Sequence, residues 1–174
     1  MNIFCCGGLA LVCLDSFLNR LHQLQKIFSM DNLLYIGQWQ GFFKYGPEYG
    51  TIVEGQEAEF RLFIEEYKDG EFSGRVIDWE GLGANGEVSV VKGFVNEEMI
   101  SFTKQYDQRF IIDEWGNSDI EKEVPGYKVI YEGHFDKKGN QFLGQWEIVS
   151  DIAHTPELTL EKVLTGTWRM HRND

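Results

Sequence analysis

The chain has 174 residues, 43% hydrophobic and 14% aromatic, with a formal net charge of -12 and a mean hydropathy of -0.32. That is enough apolar material for one domain with a sizeable core. The absence of any Lys/Arg cluster argues against nucleic acid and anionic membrane surfaces as partners, since both need phosphate neutralised. The three cysteines, Cys5, Cys6 and Cys13, all fall in the first 13 residues. The remainder therefore needs no disulfide framework and fits a reducing, cytoplasmic compartment.

The first 30 residues differ from the rest. Ile3 to Leu14 is apolar but too short to span a bilayer. It lacks a basic start and a small-residue cleavage pattern, so it is a poor export signal; if residues 1–14 act as one, the protein is exported instead. Asp15 to Ser29 has Phe17, Leu21, Leu24 and Phe28 at helical spacing, with Asp15 or Ser16 placed to cap. Three readings stand: a helix packed on the domain, a weak export segment, or upstream sequence with Met30 as the natural first residue. Arg20 and Lys26 against Asp15 give this segment +1, leaving -13 for residues 31–174. The expected division is a helical appendage at 1–30 and a β domain at 31–174.

From Leu33 onward the period is two. Eight strands are expected: Tyr35–Lys44, Ala58–Tyr67, Glu71–Glu80, Val88–Val95, Met99–Tyr106, Tyr127–Asp136, Gln141–Val149 and Val163–His171. Three connections are tight, at residues 68–70, 96–98 and 137–140; the other four, at 45–57, 81–87, 107–126 and 150–162, are longer. Alternate connections of an up-and-down meander fall at opposite ends. The short turns therefore collect at one end and the long loops at the other, as in a closed all-β, eight-stranded antiparallel barrel with a tight floor and a loop-rimmed mouth. Parity aims Trp39, Phe43, Phe60, Leu62, Ile64, Phe72, Val76, Phe102, Tyr131, Trp146 and Trp168 inward, with recurrent glycines among them at barrel corners. The fourth strand is ambiguous, because Val88, Val90 and Val91 occupy both faces.

Gly37-Gln38-Trp39 opens the first strand beside the floor, and the last strand ends near it with Arg169 and Arg172. This resembles the calycin pattern of lipocalins and their relatives, in which a Gly-x-Trp on the first strand packs against a basic residue of the last. The resemblance implies Arg172 as the partner of Trp39, with Arg169 facing outward. Avidin's eight-strand meander is similar in layout. Gly37-Gln38-Trp39-Gln40-Gly41 also resembles the opening of nitrobindin-type haem barrels, without a haem-ligand context. The chain lacks the lipocalin cysteine pair and the Thr-Asp-Tyr signature, so the resemblance implies an architecture and a pocket rather than a named ligand.

The candidate chemistry is sparse. There is no zinc spacing, phosphate loop or Gly-x-Ser-x-Gly elbow. His22, His134, His154 and His171 form no ligand pair, so no metal, cofactor or catalytic residue is expected. The 107–126 loop mixes carboxylates with Phe110, Ile111, Ile112 and Trp115 and suits either a lid, a mobile acidic loop or a protein partner. The informative residues are polar and inward: Asp78, Lys104 and Tyr106, all near the mouth. A buried charge must be paired. Asp78 and Lys104 could pair as plain structure, or bind the polar head of a ligand lying against Trp39, Phe43, Phe60, Tyr131 and Trp146, with Lys104 facing an anionic head. The expected function is binding of a small apolar or amphipathic ligand. Two rivals are a filled barrel used for protein interaction, and an isomerase or cyclase using Asp78 and Lys104 as acid and base.

Overall fold

The computed structural model describes residues 33–81, 86, 88–112, 118–154 and 159–173, without the side chains of 110–112, 118–124, 150–154 and 159–161. The chain divides between Leu34 and Tyr35, and the fold below is that of the C-terminal unit. The helix expected at Asp15–Ser29 lies outside the described residues.

Ten strands form: β1 (Gly37–Tyr45), β2 (Glu57–Lys68), β3 (Glu71–Asp78), β4 (Val88–Asn96), β5 (Met99–Gln105), β6 (Gln108–Ile112), β7 (Ser118–Pro125), β8 (Lys128–Asp136), β9 (Gln141–His154) and β10 (Thr159–Arg172). Eight close into a barrel in the order β1-β10-β9-β8-β5-β4-β3-β2, every neighbour antiparallel. The layout is calycin-like. The other two, β6 and β7, pair only with each other. They occupy the 107–126 connection, which is thus a hairpin at the mouth rather than an irregular loop. The 150–162 connection is likewise mostly strand, since β9 and β10 stay paired out to His154 and Thr159.

The tight turns sit together at the floor. Asp69 and Gly70 both take positive φ, 53° and 87°, as a two-residue hairpin loop between Lys68 and Glu71 requires. Glu97 does the same between Asn96 and Met99. In the β8–β9 turn the Asp136 carboxylate accepts from the Lys138 and Gly139 amides at 3.0 and 3.1 Å, supplying locally the bonds that a longer turn lacks.

Trp39 closes the floor beside Arg172, its cross-strand neighbour. Its indole donates to the Tyr35 carbonyl at 3.2 Å, and its ring lies 4.8 Å from Tyr35 and 5.9 Å from Phe142. The Arg172 guanidinium stacks over Tyr35 at 4.3 Å. The floor is therefore a three-layer stack, with Tyr35 between the basic residue and Trp39. Arg169 faces outward, as parity requires, over Phe42 and in a two-bond pair with Glu57.

Above the floor, rings cover glycines. A Cβ on Gly41 would land inside the Phe60 ring, one on Gly93 would meet Phe72 at 2.7 Å, and one on Gly133 would meet Trp168 at 2.8 Å. Phe102 stacks on Tyr131 at 4.5 Å and 4°, and Trp168 meets both edge-on at 5.3 and 5.9 Å. The inward glycines thus make room for aromatic side chains, and these fill the middle of the barrel. On β4, Ser89, Val91 and Val95 point in, while Val88, Val90 and Phe94 are exposed. A register shift between Ile64 and Glu66 on β2 brings two successive glutamates, Glu65 and Glu66, to the surface.

Candidate functional site

Three polar side chains meet inside the upper barrel. Asp78 is the last residue of β3, Lys104 is on β5, and Tyr106 follows β5. Alternation along each strand carries Asp78 inward with Phe72 and Val76, and Lys104 inward with Ile100 and Phe102. The Lys104 ammonium pairs with Asp78 Oδ2 and donates to the Tyr106 hydroxyl at 2.8 Å. That hydroxyl donates in turn to Asp78 Oδ2 at 2.7 Å. Lys104 is 1% exposed and the Asp78 side chain 9%. Charges this deep need both a counter-ion and hydrogen bonds, and Lys104 has both. Asp78 has them only at Oδ2; its second oxygen, Oδ1, is buried and has no hydrogen-bond partner.

Burial lowers the Lys104 amine from its ordinary range, and the Asp78 charge opposes that. Burial raises Tyr106 well above the usual phenol range, and the nearby Asp78 carboxylate raises it further. Tyr131 is raised the same way, by burial first and then by Asp78, Tyr45 and Tyr49. The cluster thus sets a neutral phenol, Tyr106, directly against the Asp78 carboxylate.

Aromatic rings continue from this cluster to the mouth. Tyr45 lies 4.8 Å from Tyr49 and 6.3 Å from Trp146, and Tyr49 lies 6.0 Å from Trp146, all edge-on. Tyr49 comes from a short 3-10 turn, Pro47–Tyr49, pinned to β10 from outside. Gly46 donates to the Thr165 carbonyl at 2.9 Å, and the Thr165 hydroxyl donates to Glu48 at 3.1 Å. A Cβ at Gly46 would fall 2.5 Å from the Thr165 carbonyl oxygen, so only glycine allows the turn to lie this close. The Trp146 indole donates to the Lys44 carbonyl at 3.2 Å. Its polar edge is thus satisfied and its ring remains as an apolar wall.

Of the residues singled out from sequence, Asp78, Lys104, Tyr106, Tyr131 and Trp146 belong to this upper region. Phe43 joins it through Tyr45 and Trp146 at 5.3 and 6.3 Å. Phe60 lies between, 6.4 Å from both Phe43 and Tyr131. Trp39 stands apart in the floor stack. Tyr45 and Tyr49 did not figure among the sequence candidates. Tyr45 continues the inward parity of Trp39, Gly41 and Phe43 by one step, a usable signal. Tyr49 sits in a Pro/Gly turn without period, and nothing local marks it.

A groove of about 250 Å³ lies elsewhere, on the outer face, lined in part by Phe42, Leu143, Thr167 and Arg169. Its charges are already matched: Arg169 and Lys44 hold the Glu57 carboxyl down at about 2. It offers no unpaired group comparable to Asp78 Oδ1. Among the described residues no group of three or more His, Cys, Asp or Glu could hold a metal ion, and no helix is long and apolar enough to cross a membrane.

Comparison with known proteins finds no matching family model and no matching curated protein. Among solved structures, apo shwanavidin is similar at 16% identity, with a TM-score of 0.43 over 80% of this chain and 98% of that one. Rhizavidin is similar at 13% identity, with a TM-score of 0.41 over 78% of this chain and 84% of that one. A redesigned β-barrel is similar at 13% identity, with a TM-score of 0.43 over 83% of this chain and 96% of that one.

Proposed function

We propose that the barrel binds a small amphipathic molecule at its mouth. The polar head meets Asp78, and the apolar part lies against Tyr45, Tyr131 and Trp146. The observation that carries this is Asp78 Oδ1, a buried carboxylate oxygen without a hydrogen-bond partner. Leaving such an acceptor unmet costs about 1–3 kcal/mol, which a ligand donor would recover. Lys104 is held by Asp78 and Tyr106, so the group left to recognise a ligand is an acceptor. An anionic head, the expectation from sequence, suits the site less well than a hydrogen-bond donor. In this reading the floor tryptophan Trp39 takes no part in contact, and the ligand lies above the ring layer of Phe60, Phe102 and Tyr131.

The test is a thermal-shift panel of phenylalkyl compounds with one chain length and different heads: hydroxyl, amide, ammonium and carboxylate. A saturable rise in midpoint is expected for donor heads, because a ligand selective for the folded state stabilises it by mass action. It should coincide with quenching of tryptophan emission that is lost in Trp146→Phe. No shift for any head at millimolar concentration would refute a binding mouth.

A further inference from the structure

The acidic residues are unevenly distributed between the two sets of strand connections in the sequence. The mouth connections, residues 46–56, 79–87, 106–127 and 150–162, carry 13 acidic and 3 basic side chains. The floor turns, residues 69–70, 97–98 and 137–140, carry 3 acidic and 2 basic. Along the sequence, most of the net charge of -12 therefore falls in the connections opposite the tight turns. A cleft with one sign of charge concentrates ligands of the other sign.

The mouth has a second, independent property. Tyr45, Tyr49 and Trp146 present aromatic rings within 4.8 to 6.3 Å of one another, and the Tyr106 hydroxyl lies 2.7 Å from Asp78 Oδ2. Aromatic faces attract cations, and sets of them hold organic ammonium groups. Asp78 Oδ1 supplies the acceptor at the bottom. Resting on the binding role proposed above, we infer that the ligand head is a cation, specifically the ammonium group of a small organic amine.

The nearest objection is Lys104, itself a cation. Its ammonium sits on Oδ2, whereas the unpartnered oxygen is the buried Oδ1, and a carboxylate has lone pairs enough for donors on both. An inorganic cation is a poorer fit. Calcium takes six to eight oxygen ligands, and among the described residues no group of three carboxylates or imidazoles converges.

The experiment compares 3-phenylpropylammonium, 3-phenylpropanol and 3-phenylpropanoate by isothermal titration against the full chain. The ammonium compound should bind at least tenfold tighter than the alcohol, the carboxylate weakest. Its affinity should fall several-fold between 20 and 300 mM salt, since the mouth charges are screened. Asp78→Asn should abolish the preference for ammonium over alcohol. Because that variant could fail to fold, Tyr49→Ala, on the turn outside the barrel wall, is made beside it. It should weaken the ammonium compound about fivefold more than it weakens the alcohol. Binding of the alcohol or carboxylate as tightly as the ammonium overturns this inference and leaves the binding role standing. No binding of any of the three overturns both.

Discussion

Lys104 and Asp78 show how much one buried pair determines. Lys104 has a charged partner and a hydroxyl partner and is almost wholly enclosed. Removing one member of such a pair strands the other, which typically costs about 3–5 kcal/mol. Lys104→Met should therefore destabilise the barrel by roughly that much in urea unfolding. The double variant Lys104→Met with Asp78→Leu should recover most of the loss, because two apolar residues need no partner. A single variant as stable as the parent would mean that water, not lysine, solvates Asp78. At the other end, Trp39 tests the floor stack. It is buried, its indole is satisfied by the Tyr35 carbonyl, and Trp39→Ala should cost about 3–5 kcal/mol. A loss under about 1 kcal/mol would show that Tyr35 and Arg172 close the floor without it.

On the strands, the unit of packing is a glycine with the ring that covers it. Gly41 on β1 leaves the space into which Phe60 of β2 projects. Gly41→Ala should destabilise by about 1–3 kcal/mol through overpacking. Combining it with Phe60→Leu should give less than the sum of the two single losses, since the smaller side chain vacates the space the new methyl needs. Strict additivity in that cycle would separate the two residues. This pairing also explains how the strands could be recognised in the sequence. An enclosed barrel interior must alternate apolar or small residues with surface ones, so Trp39, Gly41, Phe43 and Phe60, Leu62, Ile64 read correctly by parity alone. The β4 strand did not, because Val88 and Val90 are exposed while Val91 is buried, and valine suits both faces of a strand. The hairpin β6–β7 was hidden by its carboxylates, which mimic a solvated loop. The site divided along the same line. Asp78 and Lys104 stood out because a charge at inward parity has few explanations, whereas Tyr49 depends on a turn held by Thr165 from a strand more than a hundred residues away.

Across the whole molecule, the phenols of the mouth govern behaviour in alkali. Tyr106 and Tyr131 are held well above the ordinary tyrosine range, and Tyr49 is also raised, in each case chiefly by burial. A group whose folded pKa exceeds its unfolded value stabilises the fold fully below the unfolded pKa, near 10 for tyrosine, and that contribution is lost as pH rises toward the folded one. Between those limits the unfolded chain has released a proton that the folded chain keeps. Each such tyrosine then lowers stability by about 1.4 kcal/mol per pH unit, and three together by about 4. Lys104, whose pKa is lowered, acts in the opposite sense, but only up to its unfolded value near 10.4. Above that, both of its states are neutral and the tyrosines act unopposed. The barrel should therefore hold its stability to about pH 10 and lose it steeply beyond. Phenolate absorbance near 295 nm should rise in two stages: first for tyrosines that reach solvent, then for Tyr49, Tyr106 and Tyr131 in step with loss of the near-ultraviolet circular dichroism. Tyr131→Phe should make the alkaline loss shallower by about one proton per molecule, because its ring remains to fill the barrel while its ionisation is gone. If all seven tyrosines ionise in one stage while the circular dichroism is still native, the hydroxyls of the mouth are open to water, and the carboxylate they surround is not the enclosed acceptor described here.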